Sequence, residues 1–293
     1  MSTSNKTKLL NPKDFPRLLK EINDPPKYLN MLGELPEGNP KFLCVVGSRK
    51  FTPYGLSVCE NLISGLAGQD IIIVSGLALG IDTIAHKSAI RSGLKTMALP
   101  GSSLEDTFIY PPSNFKLSKE IVEKGGCILS EFPPQTPGYP ANFPQRNRIM
   151  AGLSHAVLVI EASIKSGTMI TAKLATHYNR EVLAVPGSIF SDKSDGPNAL
   201  IRLGATPITS SKDILEALGL KESEEQTLFN PNKYYNCTPN ELKIVELLRS
   251  PLSKDDLTVK CRDFASVSEI NILISMLELK GLIKEFLGEI HLA

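Results

Sequence analysis

The side chains best suited to chemistry lie at Phe143-Pro144-Gln145-Arg146-Asn147-Arg148. The window from Phe132 to Ile160 around them holds two arginines and no carboxylate. Further on, the apolar run His155–Ile160 ends in Glu161 and leads into Lys165-Ser166-Gly167-Thr168. Arg49 follows directly on a Gly47-Ser48 turn, where a guanidinium can fork onto a phosphate held by backbone N–H groups. Arginine forks bind phosphate oxygens and an aromatic ring stacks on a base, while a Ser-Gly-Thr turn offers N–H donors to an anion. The combination points to a phosphate-rich ligand with stackable bases. A nucleic acid strand fits that description better than a small metabolite.

These residues need a scaffold that brings them together. Short apolar runs recur at Phe42–Val46, Ile71–Val74, Thr96–Leu99, Cys127–Leu129, Ala156–Ile160 and Val182–Val185, with a weaker one at Thr206–Thr209. They are β-branched and do not alternate, as expected of strands covered on both faces. Pro53–Ala67, Ile81–Ser92 and Thr168–Tyr178 between them have helical spacing. Strand alternating with helix predicts an α/β fold with a parallel, doubly wound sheet. Small-residue turns follow the strands at Gly47-Ser48-Arg49, Ser75-Gly76, Pro100–Ser103, Ser166-Gly167-Thr168 and Pro186-Gly187-Ser188. In a parallel sheet they share the carboxyl edge, where N–H groups and helix N-termini attract anions. Any one such turn is ordinary; the series predicts a phosphate-lined crevice.

A helix is expected over Gln145–Leu153, and on it Arg146 and Arg148 point about 200° apart. They cannot face one groove equally, so one is expected to anchor structure. Phe143 precedes a proline and is biased to extended backbone. Base stacking and a hydrophobic staple on the following helix are equally open to it. Asp82 and His86, four apart, have acid–base spacing. No nucleophile accompanies them, so a structural hydrogen bond that pins the Gly76–Gly80 loop is expected. Neither a P-loop nor a GxGxxG fingerprint is present.

Composition sets bounds on function. The chain has 293 residues, 42% hydrophobic and 22% charged, with a net charge of +1. Nucleic-acid binding must therefore come from a local groove, not from a generally basic surface. The cysteines, at 44, 59, 127, 237 and 261, have no metal-ligand spacing and an odd count. Neither a zinc site nor a disulfide framework is expected, and a reducing cytoplasm is. No signal-peptide core or run of roughly 20 apolar residues is seen. No cofactor and no metal are expected.

Residues 1–40 are polar and proline-rich and read as an N-terminal extension, with one short helix near Asp14–Asn23. Residues 41–220 form the sheet domain and 221–236 a linker. Residues 237–293 are a second domain: a capped helix from Thr238-Pro239-Asn240-Glu241, helices over Asp255–Val259 and Val267–Leu279, and a hairpin over Gly281–Ile290. That is the layout of a winged helix-turn-helix. Its third helix carries one base, Lys280, beside Glu269 and Glu278, a poor reader of the major groove.

An ordered series of motifs carries a family resemblance. It comprises Gly47-Ser48-Arg49, Ser75-Gly76-Leu77-Ala78 with Gly80-Ile81-Asp82, Ala85-His86, Tyr110-Pro111 and Ser130-Glu131. It continues through Phe143-Pro144 with Arg146-Asn147-Arg148, Glu161-Ala162, Ser166-Gly167-Thr168 and Ala184-Val185-Pro186-Gly187. The series spans roughly residues 41 to 219 and resembles the DNA-processing protein A (DprA, or Smf) family. The resemblance implies an extended Rossmann-like fold and binding of single-stranded DNA without strong sequence preference. It also implies delivery of strands to the RecA recombinase in natural transformation, and a homodimer. DNA contacts are implied at Gly47, Ser48, Arg49, Phe143, Arg146, Asn147, Arg148, Ser166, Gly167 and Thr168, and the strand-end reading adds Ser75 and Gly76. A nucleotide-processing enzyme like the phosphoribohydrolases is the competing class. Those enzymes have a glutamate three residues after a similar Gly-Thr turn, and here Gly167-Thr168 runs into Met169-Ile170-Thr171. Asp82, Glu131 or Glu161 would have to serve instead.

Overall fold

Apolar runs that do not alternate make stable strands only where both faces of a sheet are covered. The computed structural model describes residues 7–220, 236–248, 252–286 and 288–292. It divides into two units, Met1–Glu222 and Ser223–Ala293. The first unit opens with β1 (Lys8–Leu10), α1 (Arg17–Lys20) and β2 (Leu29–Gly33). There follow β3 (Lys41–Val46), α2 (Pro53–Ser64), β4 (Ile71–Ser75), α3 (Ile81–Arg91), β5 (Thr96–Ala98), α4 (Phe115–Glu123) and β6 (Cys127–Ser130). The unit continues with α5 (Asn142–Leu153), β7 (Ala156–Val159), α6 (Gly167–His177), β8 (Glu181–Ala184), α7 (Asp195–Arg202), β9 (Thr206–Pro207) and α8 (Ser211–Ala217).

The strands form one nine-stranded sheet in the order β1-β2-β6-β5-β4-β3-β7-β8-β9. Pairing is parallel from β6 across to β9. Strand order runs outward from β3 to β6 on one side and from β7 to β9 on the other. It reverses between β3 and β7, the place on the carboxyl edge where sheets of this kind bind ligands. Successive β3 residues face opposite layers. Cys44 and Val46 join Leu19, Ile149, Met150, Ala172 and Leu200 from α1, α5, α6 and α7. Leu43 and Val45 join Cys59, Ile63, Ile84, Ala85 and Ile214 from α2, α3 and α8. This is an α/β fold, an extended Rossmann-like sheet with helices on both faces.

Residues 1–40 are not set apart from this sheet in the stretch described. β1 pairs antiparallel with β2, and β2 pairs antiparallel with β6 from Asn30↔Ser130 to Gly33↔Cys127. Phe15, Leu19, Ile22 and Leu29 are buried in the main core. The strands are too short to register as alternation, and single apolar residues spaced among polar ones carry the burial.

The second unit has α9 (Pro239–Leu247), β10 (Leu252–Ser253), α10 (Lys254–Cys261), α11 (Val267–Leu279), β11 (Ile283–Phe286) and β12 (Glu289–Leu292). Its strands form an antiparallel sheet, β10-β12-β11. The capping box at Thr238 and Glu241 is formed, and another stands at Ser266 and Glu269. Ile244, Leu257, Ile270, Ile274, Leu277 and Ile290 make its core. Except for Asn236, the stretch read as a linker lies outside the described residues.

Candidate nucleic-acid interface

The turn after β3 sets the centre of the site. Ser48 Oγ accepts from the Lys50 N–H at 3.1 Å and donates to the Lys50 carbonyl at 2.8 Å, closing a tight bend. From beneath, Ile81 N–H donates to the Ser48 carbonyl at 3.2 Å. Gly80 has φ +85°, and a side chain there would lie 2.3 Å from that same carbonyl oxygen. The bend so supported holds Arg49 out in solvent. Its guanidinium carbon stands 5.0 Å from the centroid of the Phe143 ring, a cation–π stack.

Phe143 lies inside α5, which begins at Asn142 and not at Gln145. Pro144 fits the first turn because N–H groups there have no intrahelical acceptor. Phe143 is therefore helical, not extended. Its half-buried ring rests on Gly101, where a Cβ would come within 2.5 Å of it, and beside Tyr110 at 5.7 Å between centroids. Arg49, Tyr110, Pro111, Phe143 and Leu79 line one pocket. With Arg49 over it and Tyr110 beside it, the Phe143 ring forms part of the wall of this pocket.

On the other side of Arg49 lies the N-terminus of α6. Thr168 Oγ1 donates to the Gly47 carbonyl at 3.2 Å, and Asn147 Nδ2 reaches the Gly167 carbonyl at 3.5 Å. The first contact ties the turn after β3 to the head of α6 across the point of strand reversal, and the second joins α5 to it. No side chain caps this helix, although Ser166 occupies the capping position. Ser166 Oγ is buried without a hydrogen-bond partner. Gly167 is exposed, and nothing lies within 4 Å of where its Cβ would be. Unlike the packed glycines nearby, it leaves the first N–H groups of α6 open to an anion.

Three expected contacts lie elsewhere, and a fourth, Gly76, only borders the pocket. Ser75 is fully buried and its hydroxyl donates to the Val45 carbonyl at 2.7 Å. Gly76 is buried between Arg146 and Asp82, either of which would stand 2.6 Å from a Cβ. Arg146 is 5% exposed; its Nη1 donates to the carbonyls of Gly76 and Leu99, and its Nε to Asn147 Oδ1. Burial draws its guanidinium down to about 10, with Asp82 opposing, so it stays charged at neutral pH. Arg148 pairs with Glu131 at 2.5 Å and with Asp24 at 3.5 Å, clamping the N-terminal segment. The anchoring role expected of one arginine in the pair is taken by both. Tyr110, 39% exposed in the pocket, was absent from the expected contacts, although Tyr110-Pro111 stood among the motifs.

The carboxylates available to an enzyme are structurally engaged. Asp82 accepts from the N–H groups of Gly76 and Ala78 at 3.1 and 3.4 Å. Glu161, 2% exposed, accepts from the N–H and hydroxyl of Thr52 at the head of α2. Glu131 holds Arg148. His86 does not pair with Asp82; its Nδ1 lies 2.7 Å from Thr96 Oγ1. Because that hydroxyl donates to the Ile73 carbonyl, Nδ1 must be the donor to it.

Most of the first unit is similar to known proteins. A family model described as DNA recombination-mediator protein A matches residues 6–219. Protein Smf of Escherichia coli (strain K12) is 38% identical over 224 residues, covering 75% of this chain and 59% of that protein. DNA processing protein DprA of Bacillus subtilis (strain 168) is 39% identical over 210 residues, covering 71% and 70%. The chain thus spans well under two thirds of the E. coli relative, and 55% of Protein Smf from Synechocystis sp.. The X-ray structure of DNA processing protein A from Streptococcus pneumoniae superposes with TM-score 0.67 at 39% identity, covering 72% of this chain and 74% of that one. DNA processing protein A from Helicobacter pylori, whose structure concerns its single-stranded DNA binding mode, superposes with TM-score 0.64 at 32% identity. That match covers 74% of this chain and 98% of the other. On this match, which takes in the N-terminal strands as well as the whole strand-end edge, the chain belongs to the DNA recombination-mediator protein A family.

Proposed function

We propose that this protein binds single-stranded DNA along the carboxyl edge of its parallel sheet and passes it to a RecA-type recombinase. The observation that carries the reading is Arg49, exposed and stacked on Phe143 beside the uncapped N-terminus of α6. A phosphate held by Arg49 and the α6 N–H groups would leave its base near Tyr110 and Phe143. Single strands are bound in this way, with backbone capture and sequence-tolerant stacking. The H. pylori relative, described as a single-stranded DNA binder, supports the same ligand here.

Further parts of the reading rest on family membership: strand delivery in natural transformation or general recombination, action in the cytoplasm, and a homodimer that extends the contact. No described helix is long and apolar enough to cross a membrane. We read the protein as a mediator and not an enzyme because Asp82, Glu131 and Glu161 are each committed to backbone or arginine partners. We read the second unit as a winged helix that does not read duplex DNA. Lys280, the only base of its third helix segment, donates to Glu241 at 2.7 Å and to the Asn236 carbonyl.

The test is fluorescence-anisotropy binding to labelled oligo-dT and to a hairpin duplex across a salt series. Preference for the single strand with a steep salt slope is expected. Equal or duplex-favoured binding would overturn the assignment of the site.

A further inference from the structure

The turn after β8 presents two large apolar residues that the fold does not use. Phe190 is 93% exposed and Ile189 81%. Their loop is nonetheless tightly held. Asn198 clamps Gly187 from both sides, accepting its N–H at 3.2 Å and donating to its carbonyl at 3.0 Å. Phe190 N–H donates to Ser188 Oγ at 3.2 Å, and Ser191 and Ser194 N–H groups close successive turns on Ser188 and Ser191. Tyr54 of α2 donates its hydroxyl to the Pro186 carbonyl at 2.7 Å. Farther along, Ala162 N–H reaches the Lys193 carbonyl at 2.7 Å, joining this loop to the turn after β7. The scaffold therefore displays Phe190; it is not an unpacked end.

Position gives the display a meaning. β8 lies beside β7 and two strands from β3, on the flank opposite Tyr110 and Phe143. With strands about 4.8 Å apart, its turn starts about 10 Å from the Arg49 bend. The β5 turn that seats Phe143 starts about as far on the other side. Exposed lysines, Lys50 and Lys165, stand on the turns between. We infer that Phe190, with Ile189 beside it, is a second base-stacking station on the same single strand. The strand would run from Tyr110 and Phe143 across Arg49 and the head of α6 to the β8 turn. This rests on the single-strand reading of the edge and gives it a length: a span of roughly 20 Å, long enough for several nucleotides.

The test compares the full chain with Phe190→Ala, Phe190→Trp and Arg49→Ala on labelled dT oligomers from about 4 to about 16 nucleotides. Phe190→Ala is expected to bind the shortest oligomers as the unaltered chain does and to lose about tenfold on the longer ones. Its salt slope should be unchanged, because no phosphate contact is removed, and Phe190→Trp should retain affinity. If Arg49→Ala weakens binding while Phe190→Ala matches the unaltered chain at every length, the second station is wrong and the Arg49 site stands. If the unaltered chain binds no single strand, both readings fail. A smaller sedimenting species for Phe190→Ala with unchanged affinity would assign the loop to a contact between copies and overturn the inference.

Discussion

The Arg49 guanidinium lies in solvent over an aromatic ring, whereas that of Arg146 is closed between the carbonyls of Gly76 and Leu99. Substitution should separate them. Arg49→Ala is expected to leave the free energy of unfolding within about 0.5 kcal/mol while weakening single-strand binding and lowering the salt slope by about one contact. Arg146→Ala strands a buried carboxylate at Asp82 and two carbonyls, a loss of about 3–5 kcal/mol in denaturant unfolding. His86 offers a pH test. Burial, with the Arg146 charge adding to it, pushes its imidazole down to about 3. In the unfolded chain the ring titrates near about 6.5, so only the unfolded state takes up the proton in between. Stability from this group is therefore complete above pH of about 6.5. It falls as pH drops towards about 3, by up to about 1.4 kcal/mol per pH unit. His86→Asn should flatten the stability–pH profile by that slope; an identical profile in variant and parent would mean the ring titrates normally.

At the level of elements, the parallel strands were legible because continuous β-branched runs of four to six residues have few other uses in a soluble chain. The capping box at Thr238 was legible for a local reason too, since its hydrogen bonds close within four residues. β1 and β2 escaped notice because their stability comes from the neighbours they reach, not from their own pattern, whereas α1 lies within the short helix expected near Asp14–Asn23. Leu19, on a helix of only four residues, is fully buried against α5. Leu19→Ala should therefore cost about 2–5 kcal/mol by urea titration. A change under about 0.5 kcal/mol would instead return residues 1–40 to the status of a dispensable extension.

For the whole molecule, the candidate site draws all of its residues from the first unit. Ending the chain at Leu220 should leave single-strand affinity within about threefold of the full protein, measured by anisotropy under the same salt. A collapse of binding would move the site to the second unit or to a contact that needs both. The amino-acid sequence by itself determined the α/β alternation, the two-part organisation and the types of residue at the strand-end turns. All of these are written in local periodicity and in turn chemistry. Only the tertiary structure decided that β3 and β7, more than a hundred residues apart in the chain, are neighbours at the reversal of strand order. It also decided which arginine faces solvent. The charge and length of Arg49, Arg146 and Arg148 are the same, and their separate roles follow from carbonyls and carboxylates delivered by distant segments. Non-local packing, not side-chain type, leaves one of them in solvent and commits two to the fold.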